Sequence, residues 1–183
     1  MKVLGAKIHL HAGGESNMKR FVRAVDSFNE YFGRAVALLM LPLVFVVVYE
    51  VIARKVFRAP TIWAFEMTVY LYGAHFMLGA AYTYLHNRHV KIDILSSKLP
   101  DKVQTVLSIL TFLFIFVPFV GALTYASIKY AAHSWSVWEH SWSAWKPPLF
   151  LYKSVMPVAL ILLFIQGLSK FIRDIYLLKG EEI

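Results

Sequence analysis

Between Lys102 and Lys129 the chain holds no Asp, Glu, Lys or Arg. As a helix rising about 1.5 Å per residue, a stretch of that length can cross a hydrocarbon core of about 30 Å. Nothing else in the sequence constrains the fold as much. In lipid, a spanning backbone must satisfy its own polar groups, as a helix or as a closed barrel. Three further stretches behave alike. From Met67 to Asn87, between Glu66 and Arg88, none of these four residue types occurs. From Pro147 to Ser169 the run is interrupted only by Lys153, and from Ala35 to Ala53 only by Glu50. The alternating ten-residue pattern of a membrane barrel is absent. The sequence therefore predicts an all-α integral membrane protein with four transmembrane helices, over residues 34–54, 66–86, 104–128 and 149–171.

Composition enters through charge. The chain is 58% hydrophobic and 16% charged, yet its net charge is +8. That apolar content excludes a disordered chain and argues against a soluble enzyme, which could not hide so much apolar surface at this size. A nucleic-acid binder would gather its charge on one face or tail, so no nucleic-acid partner is expected. A membrane protein accommodates both properties, because basic residues collect in the loops on the cytoplasmic side. With the N-terminus inside, thirteen Lys and Arg fall on the inner segments and six on the outer ones. Setting aside the segment 1–17 leaves eleven against six, so both termini are predicted cytoplasmic. The absence of Cys removes disulfides, thiolate nucleophiles and Cys-ligated metals.

The flanks and loops carry their own patterns. No cleavable signal peptide is evident. Residues 1–18 read as a flexible tail, with Met18 a natural alternative start, ahead of one four-helix transmembrane domain over 19–183. Phe21, Val22, Val25, Phe28 and Phe32 recur at helical spacing among basic residues, which suggests an interfacial lead-in to the first span. Val90, Ile94, Leu95 and Leu99 give a second short amphipathic helix over 87–101. Trp135, Trp138, Trp142 and Trp145 fill the loop before the fourth span, where indole rings favour the membrane–water boundary.

Polar residues within spans are costly and mark candidate functional positions. Glu50 and Arg54 are four apart in the favourable order for a helix ion pair. Trp63 and Glu66 open the second span, where a carboxylate meets the positive end of the helix dipole. Glu66 could also pair with Arg54 or with a partner subunit. Lys153 and Gln166 lie on the fourth span, and Gln166 suits an interhelical hydrogen bond worth about 1 kcal/mol. Gly73, Gly79, Ala80 and Ala81 give the second span a small-residue side for close packing. Pro42, Pro118 and Pro157 fall inside spans and can kink them. His75, His86, His89, His133 and His140 raise the possibility of haem, but the first and fourth spans hold no His to complete a ligand set. No catalytic constellation, P-loop or metalloprotease motif occurs, so no enzyme, cofactor or metal site is expected.

The order of these features resembles the small membrane subunit, DctQ-type, of tripartite ATP-independent periplasmic (TRAP) transporters. In the first half the resemblance runs through Arg54, Pro60, Trp63, Glu66, Gly79-Ala80-Ala81, His89-Val90 and Asp93. In the second it runs through Ser134-Trp135, Glu139, Ser141, Trp145, Pro147-Pro148, Lys153, Pro157 and Gln166-Gly167. Lys55 departs from the pattern, where an aromatic would follow the Arg. The resemblance implies a scaffold in the bacterial inner membrane, partnered by a large multi-span permease subunit and a periplasmic substrate-binding protein. It implies uptake driven by an ion gradient, with sodium the expected ion and with the substrate and ion sites in the large subunit. Glu50, Arg54, Trp63, Glu66, His89, Asp93, Trp135, Glu139, Trp145, Lys153 and Gln166 are then candidates for shaping this subunit or its contact with the large one. The alternatives are a stand-alone small transporter or channel, and a membrane haem-b electron carrier.

Overall fold

The computed structural model describes residues 3–86 and 100–179. Every regular element among them is helical. In chain order these are α1 (Val3–Ala37), α2 (Met40–Lys55), α3 (Ala64–Leu78), α4 (Ala80–Leu85), α5 (Asp101–Thr111), a π-helical turn (Phe112–Phe116), α6 (Val117–Ser136) and α7 (Leu149–Leu178). The amphipathic helix expected over 87–101 falls almost wholly outside the described residues, and so do His89 and Asp93. The backbone is helical from Val3, so the stretch read as a tail continues into α1.

Three helical stretches are long and apolar enough to cross a membrane: Asn17–Lys55, Lys102–Ser136 and Leu149–Leu178. They contain the predicted spans 34–54, 104–128 and 149–171. The predicted span 66–86 is helical too, but Gly79 divides it into 15 and 6 residues. Neither piece alone has the length of a span. The division is local. Gly79 N–H still donates to the His75 carbonyl, at 3.0 Å, and its own carbonyl accepts from both the Thr83 amide and the Thr83 hydroxyl, each at 2.9 Å. A threonine hydroxyl that shares a carbonyl with the helix ladder bends the helix there.

Prolines account for two other irregularities. Pro42 has no N–H and its ring presses on the carbonyl of residue 38. The chain answers one turn earlier: Leu38 and Leu39 make tight i→i−3 bonds to Ala35 and Val36, and α1 gives way to α2. Pro118 has the same effect on the carbonyl of residue 114, and the turn before it is π-helical, with Val117 N–H reaching Phe112 O. A π-turn of this kind absorbs one extra residue in an otherwise continuous helix. Pro157 lies inside α7 without ending it.

α7 is the hub, in contact with α1, α3, α4, α5 and α6, whereas α2 packs chiefly on α3. The stretch expected as an interfacial lead-in lays Val22 and Asn29 against the bundle, both of them buried, and Val36 continues the same face into the first predicted span. The largest fully buried side chains are Gln166, Val22, Asn29, Ser134 and Ser169. Large apolar rings point outward: Phe45, Phe65, Phe76 and Phe114 are each at least 70% exposed. Small and polar inside with aromatic outside is the arrangement that suits lipid as solvent. Close approach at the interior follows from missing side chains. Gly73 faces the Tyr152 hydroxyl and Gly167 faces the Phe116 ring, at separations that leave no room for a Cβ.

Candidate functional site

The polar residues of the bundle gather at its two ends. At the tryptophan end, α2, α3, α6 and α7 meet the connections 56–63 and 137–148. At the terminal end lie the first helix, α4, the start of α5 and the close of α7.

At the tryptophan end, Glu50 organises the α2–α3 connection. One carboxylate oxygen accepts from Arg54 at 2.7 Å. The other accepts from the Thr61 hydroxyl at 2.5 Å and the Thr61 amide at 3.2 Å. Thr61 in turn accepts from the Ala64 amide at 3.3 Å, at the start of α3. The pair anticipated from the four-residue spacing is therefore present, and it ties α2 to the entry of α3. Trp63 stacks on Tyr49, with ring centroids 5.8 Å apart, and covers the same junction. Glu66 does not pair with Arg54. It accepts from the Ser141 hydroxyl at 2.9 Å, across from α3 to the Trp-rich turn. Its second oxygen is buried with no hydrogen-bond partner.

The turn itself is built on the end of α6. Glu139 N–H donates to Ser134 O and Trp138 N–H to Trp135 O. These are the two bonds of a Schellman cap, with Trp138 at the left-handed position that Gly usually fills. Trp138 has φ 47°, a conformation that costs a side-chain-bearing residue about 1–2 kcal/mol. The geometry sets the Trp138 ring edge-on to Phe150 at 5.1 Å and to Trp135 at 5.9 Å. Trp135 Nε1 donates to Ser154 Oγ at 2.8 Å, which fixes α6 to α7. The strand-like bridge between His140 and Pro148 closes the turn, helped by the Leu149 amide bonding to Glu139 O at 2.9 Å.

Lys153 clamps the turn from below. Its ammonium lies 2.5 Å from Glu139 Oε2 and 4.1 Å from the centroid of the Tyr130 ring. Lys153 holds the Glu139 carboxyl below its ordinary value of 4.5. Trp145 lines a cavity of about 520 Å³ with Tyr70, Pro147, Pro148 and Tyr152. Trp142 at the tip is 99% exposed.

At the terminal end, Gln166 makes the interhelical hydrogen bonds expected of its type. Its Oε1 accepts from Asn29 Nδ2 at 2.6 Å, and its Nε2 donates to Asp26 Oδ1 at 2.9 Å. Ser169 Oγ donates to the same Asp26 oxygen at 3.0 Å, and Arg173 pairs with the other. One carboxylate on α1 thus collects three residues of α7. Sequence reasoning missed Asp26, Asn29, Ser169 and Arg173. The available signal was spacing: Gln166, Ser169 and Arg173 recur at i, i+3 and i+7, one polar stripe on a largely apolar helix. Thr61, Tyr130 and Ser154 were missed as well, and nothing in their local sequence marks them.

Of the eleven candidate residues, nine fall among the described residues. Eight of them sit at the tryptophan end and Gln166 stands apart toward the other. Among the described residues, no three His, Asp or Glu lie close enough to hold a metal ion. His75 Nδ1 lies 3.1 Å from the Val36 carbonyl, at the α1–α2 break, and His86 Nε2 lies 2.7 Å from Glu30 Oε2. What the geometry achieves is attachment: α2 to α3, α3 to the turn, the turn to α7, and α1 to α7.

Comparison with protein families returns a match over most of the chain. The model of the DctQ component of tripartite ATP-independent periplasmic transporters matches residues 43–176, from α2 to the end of α7. No curated protein matches the chain significantly.

Proposed function

The chain belongs to the DctQ family of TRAP transporter components, and from that premise we propose that it is the scaffold subunit of a solute-uptake system in a bacterial inner membrane. The family is a transport family rather than an enzyme family. In the proposed arrangement the chain crosses the membrane four times, with α3 and α4 together forming the second crossing and both termini in the cytoplasm. Its partners are a large multi-span permease subunit and a periplasmic substrate-binding protein. The large subunit holds the solute and coupling-ion sites, with sodium the coupling ion.

One observation carries the scaffold reading. Most of the candidate polar side chains within or beside the spans are engaged with one another, though one Glu66 oxygen is left over: Glu50 with Arg54 and Thr61, Glu66 with Ser141, Lys153 with Glu139, and Gln166 with Asn29 and Asp26. A private transport path would direct such groups toward a solute at mid-membrane, often from broken helices in both halves. Here they staple helices at the two ends. That disfavours the stand-alone transporter and supports a rigid platform. Its outward rings then face lipid and the large subunit.

Affinity purification tests the proposal. The tagged chain, extracted from its native membrane in mild detergent, brings down a large hydrophobic permease in near-stoichiometric amount. Recovery of the chain alone, under conditions that preserve other membrane complexes, contradicts it.

A further inference from the structure

At the terminal end, α4, α5 and α7 leave a cavity of about 290 Å³ whose wall carries both signs of charge. Lys170, Arg173 and Asp174 reach it from a single turn of α7, and Ser108 reaches it from α5. The size lies at the small end of ligand pockets and suits a headgroup rather than a large solute. Leu85, the last residue of α4, and Leu177, next to the end of α7, are its apolar lining residues. A mixed-charge hollow with two leucines in its lining, set where spanning helices end, matches an amphiphile better than a free metabolite.

Arg173 and Asp174 have capacity for a ligand. A guanidinium offers five donors, and the bond to Asp26 engages Nη2 of Arg173. A carboxylate offers about four acceptor positions, and Ser108 Oγ takes one on Asp174 Oδ2 at 2.6 Å. The Lys170 ammonium sits 5.2 Å from the centroid of the Tyr84 ring, which holds it over the cavity wall. Basic pockets between spanning helices bind phospholipid headgroups through charge-assisted hydrogen bonds. Asp174 adds something that a purely basic pocket lacks, an acceptor for a cationic N–H.

We propose that this cavity binds the headgroup of an amine-bearing phospholipid, with the phosphate between Lys170 and Arg173 and the primary ammonium on Asp174. The lipid acts as a wedge that joins α4, α5 and α7 at the membrane boundary. The inference needs only that these helices stand in a bilayer. It does not depend on the transport partners.

Native mass spectrometry of the full chain tests it, after delipidation in detergent and addition of one lipid at a time. Phosphatidylethanolamine should be retained at least several-fold more than phosphatidylcholine, whose methylated nitrogen has no N–H, and than phosphatidylglycerol, which has no cation. Asp174→Asn should abolish that preference, and Lys170→Gln should lower retention of all three lipids. Equal retention of the three lipids by the unaltered chain overturns the proposal without recourse to any variant. Displacement of the lipid by millimolar inorganic phosphate, with no headgroup preference, would assign the cavity to free phosphate and overturn it equally. Because no partner subunit is present, a negative result here leaves the affinity-purification test independent.

Discussion

Asp26 on α1 and Arg173 on α7 form an ion pair between the first helix and the last, and the same carboxylate accepts from Gln166 and Ser169. A single acidic side chain thereby decides how α1 lies along α7. Asp26→Ala leaves three donors of α7 without their acceptor in a half-buried setting. The expected loss of stability is about 1–3 kcal/mol, less than for a fully buried pair because both partners keep some contact with solvent. Unfolding titrations in mixed micelles would measure it. Arg173→Met added to Asp26→Ala should recover part of the loss.

Glu139 supplies a pH dependence. Its carboxyl is held below 4.5 by the Lys153 ammonium. A carboxylate with a depressed folded-state value contributes stability above its ordinary value, and that contribution disappears as pH falls through the depressed value. Melting temperature should therefore be insensitive to this group from about pH 8 to about pH 5 and fall on further acidification. The Glu139→Gln variant should start lower and lack that part of the acid-side decline. An identical acid profile in the two proteins would show that the pair contributes nothing to stability.

Trp138 tests the cap at the end of α6. Glycine at this left-handed position relieves about 1 kcal/mol of backbone cost but loses the ring contacts to Phe150 and Trp135, worth about 0.5–1.5 kcal/mol. The two nearly cancel, so Trp138→Gly should lie within about 1 kcal/mol of the parent. Trp138→Ala loses the rings and keeps the strain, and should be the less stable of the two. Thermal melts of both variants decide the order.

Glycines distinguish contact from composition. A Cβ at Gly73 collides with the Tyr152 hydroxyl, whereas at Gly121 it meets nothing within 4 Å. Gly73→Ala should cost about 1–3 kcal/mol. Gly121→Ala should be neutral or stabilising by up to about 1 kcal/mol, because alanine favours the helix. Parallel unfolding of the two variants tests the α3–α7 contact directly.

Much of the fold was legible because one physical quantity governs it. The charge-free run over 103–128 lies within the helical stretch Lys102–Ser136, and the run from Pro147 sets the start of α7 at Leu149. The second span was legible as helix but not as divided. The division falls at Gly79, whose carbonyl the Thr83 hydroxyl shares with the helix ladder, and no apolar pattern marks it. Pro42 announced a kink whose position, at Leu38 and Leu39, follows from the carbonyl it crowds. The site was legible in part. The Glu50–Arg54 pair is local and helical spacing reveals it, but Glu66 with Ser141 and Asp26 with Arg173 are tertiary pairings between distant segments. Helical periodicity shows which face is polar. It does not show which helix that face meets.

A chain that supports transport without carrying solute should be inert by itself, and proteoliposomes measure this most directly. Vesicles with the chain alone, the large subunit alone, and the two together would be supplied with the loaded periplasmic binding protein and an inward sodium gradient. Gradient-driven uptake is expected only where both membrane subunits are present, reduced by Glu66→Ala in this chain without a change in the solute preferred. Uptake by vesicles that hold this chain alone, or a Glu66→Ala variant that alters solute preference, would contradict the scaffold role.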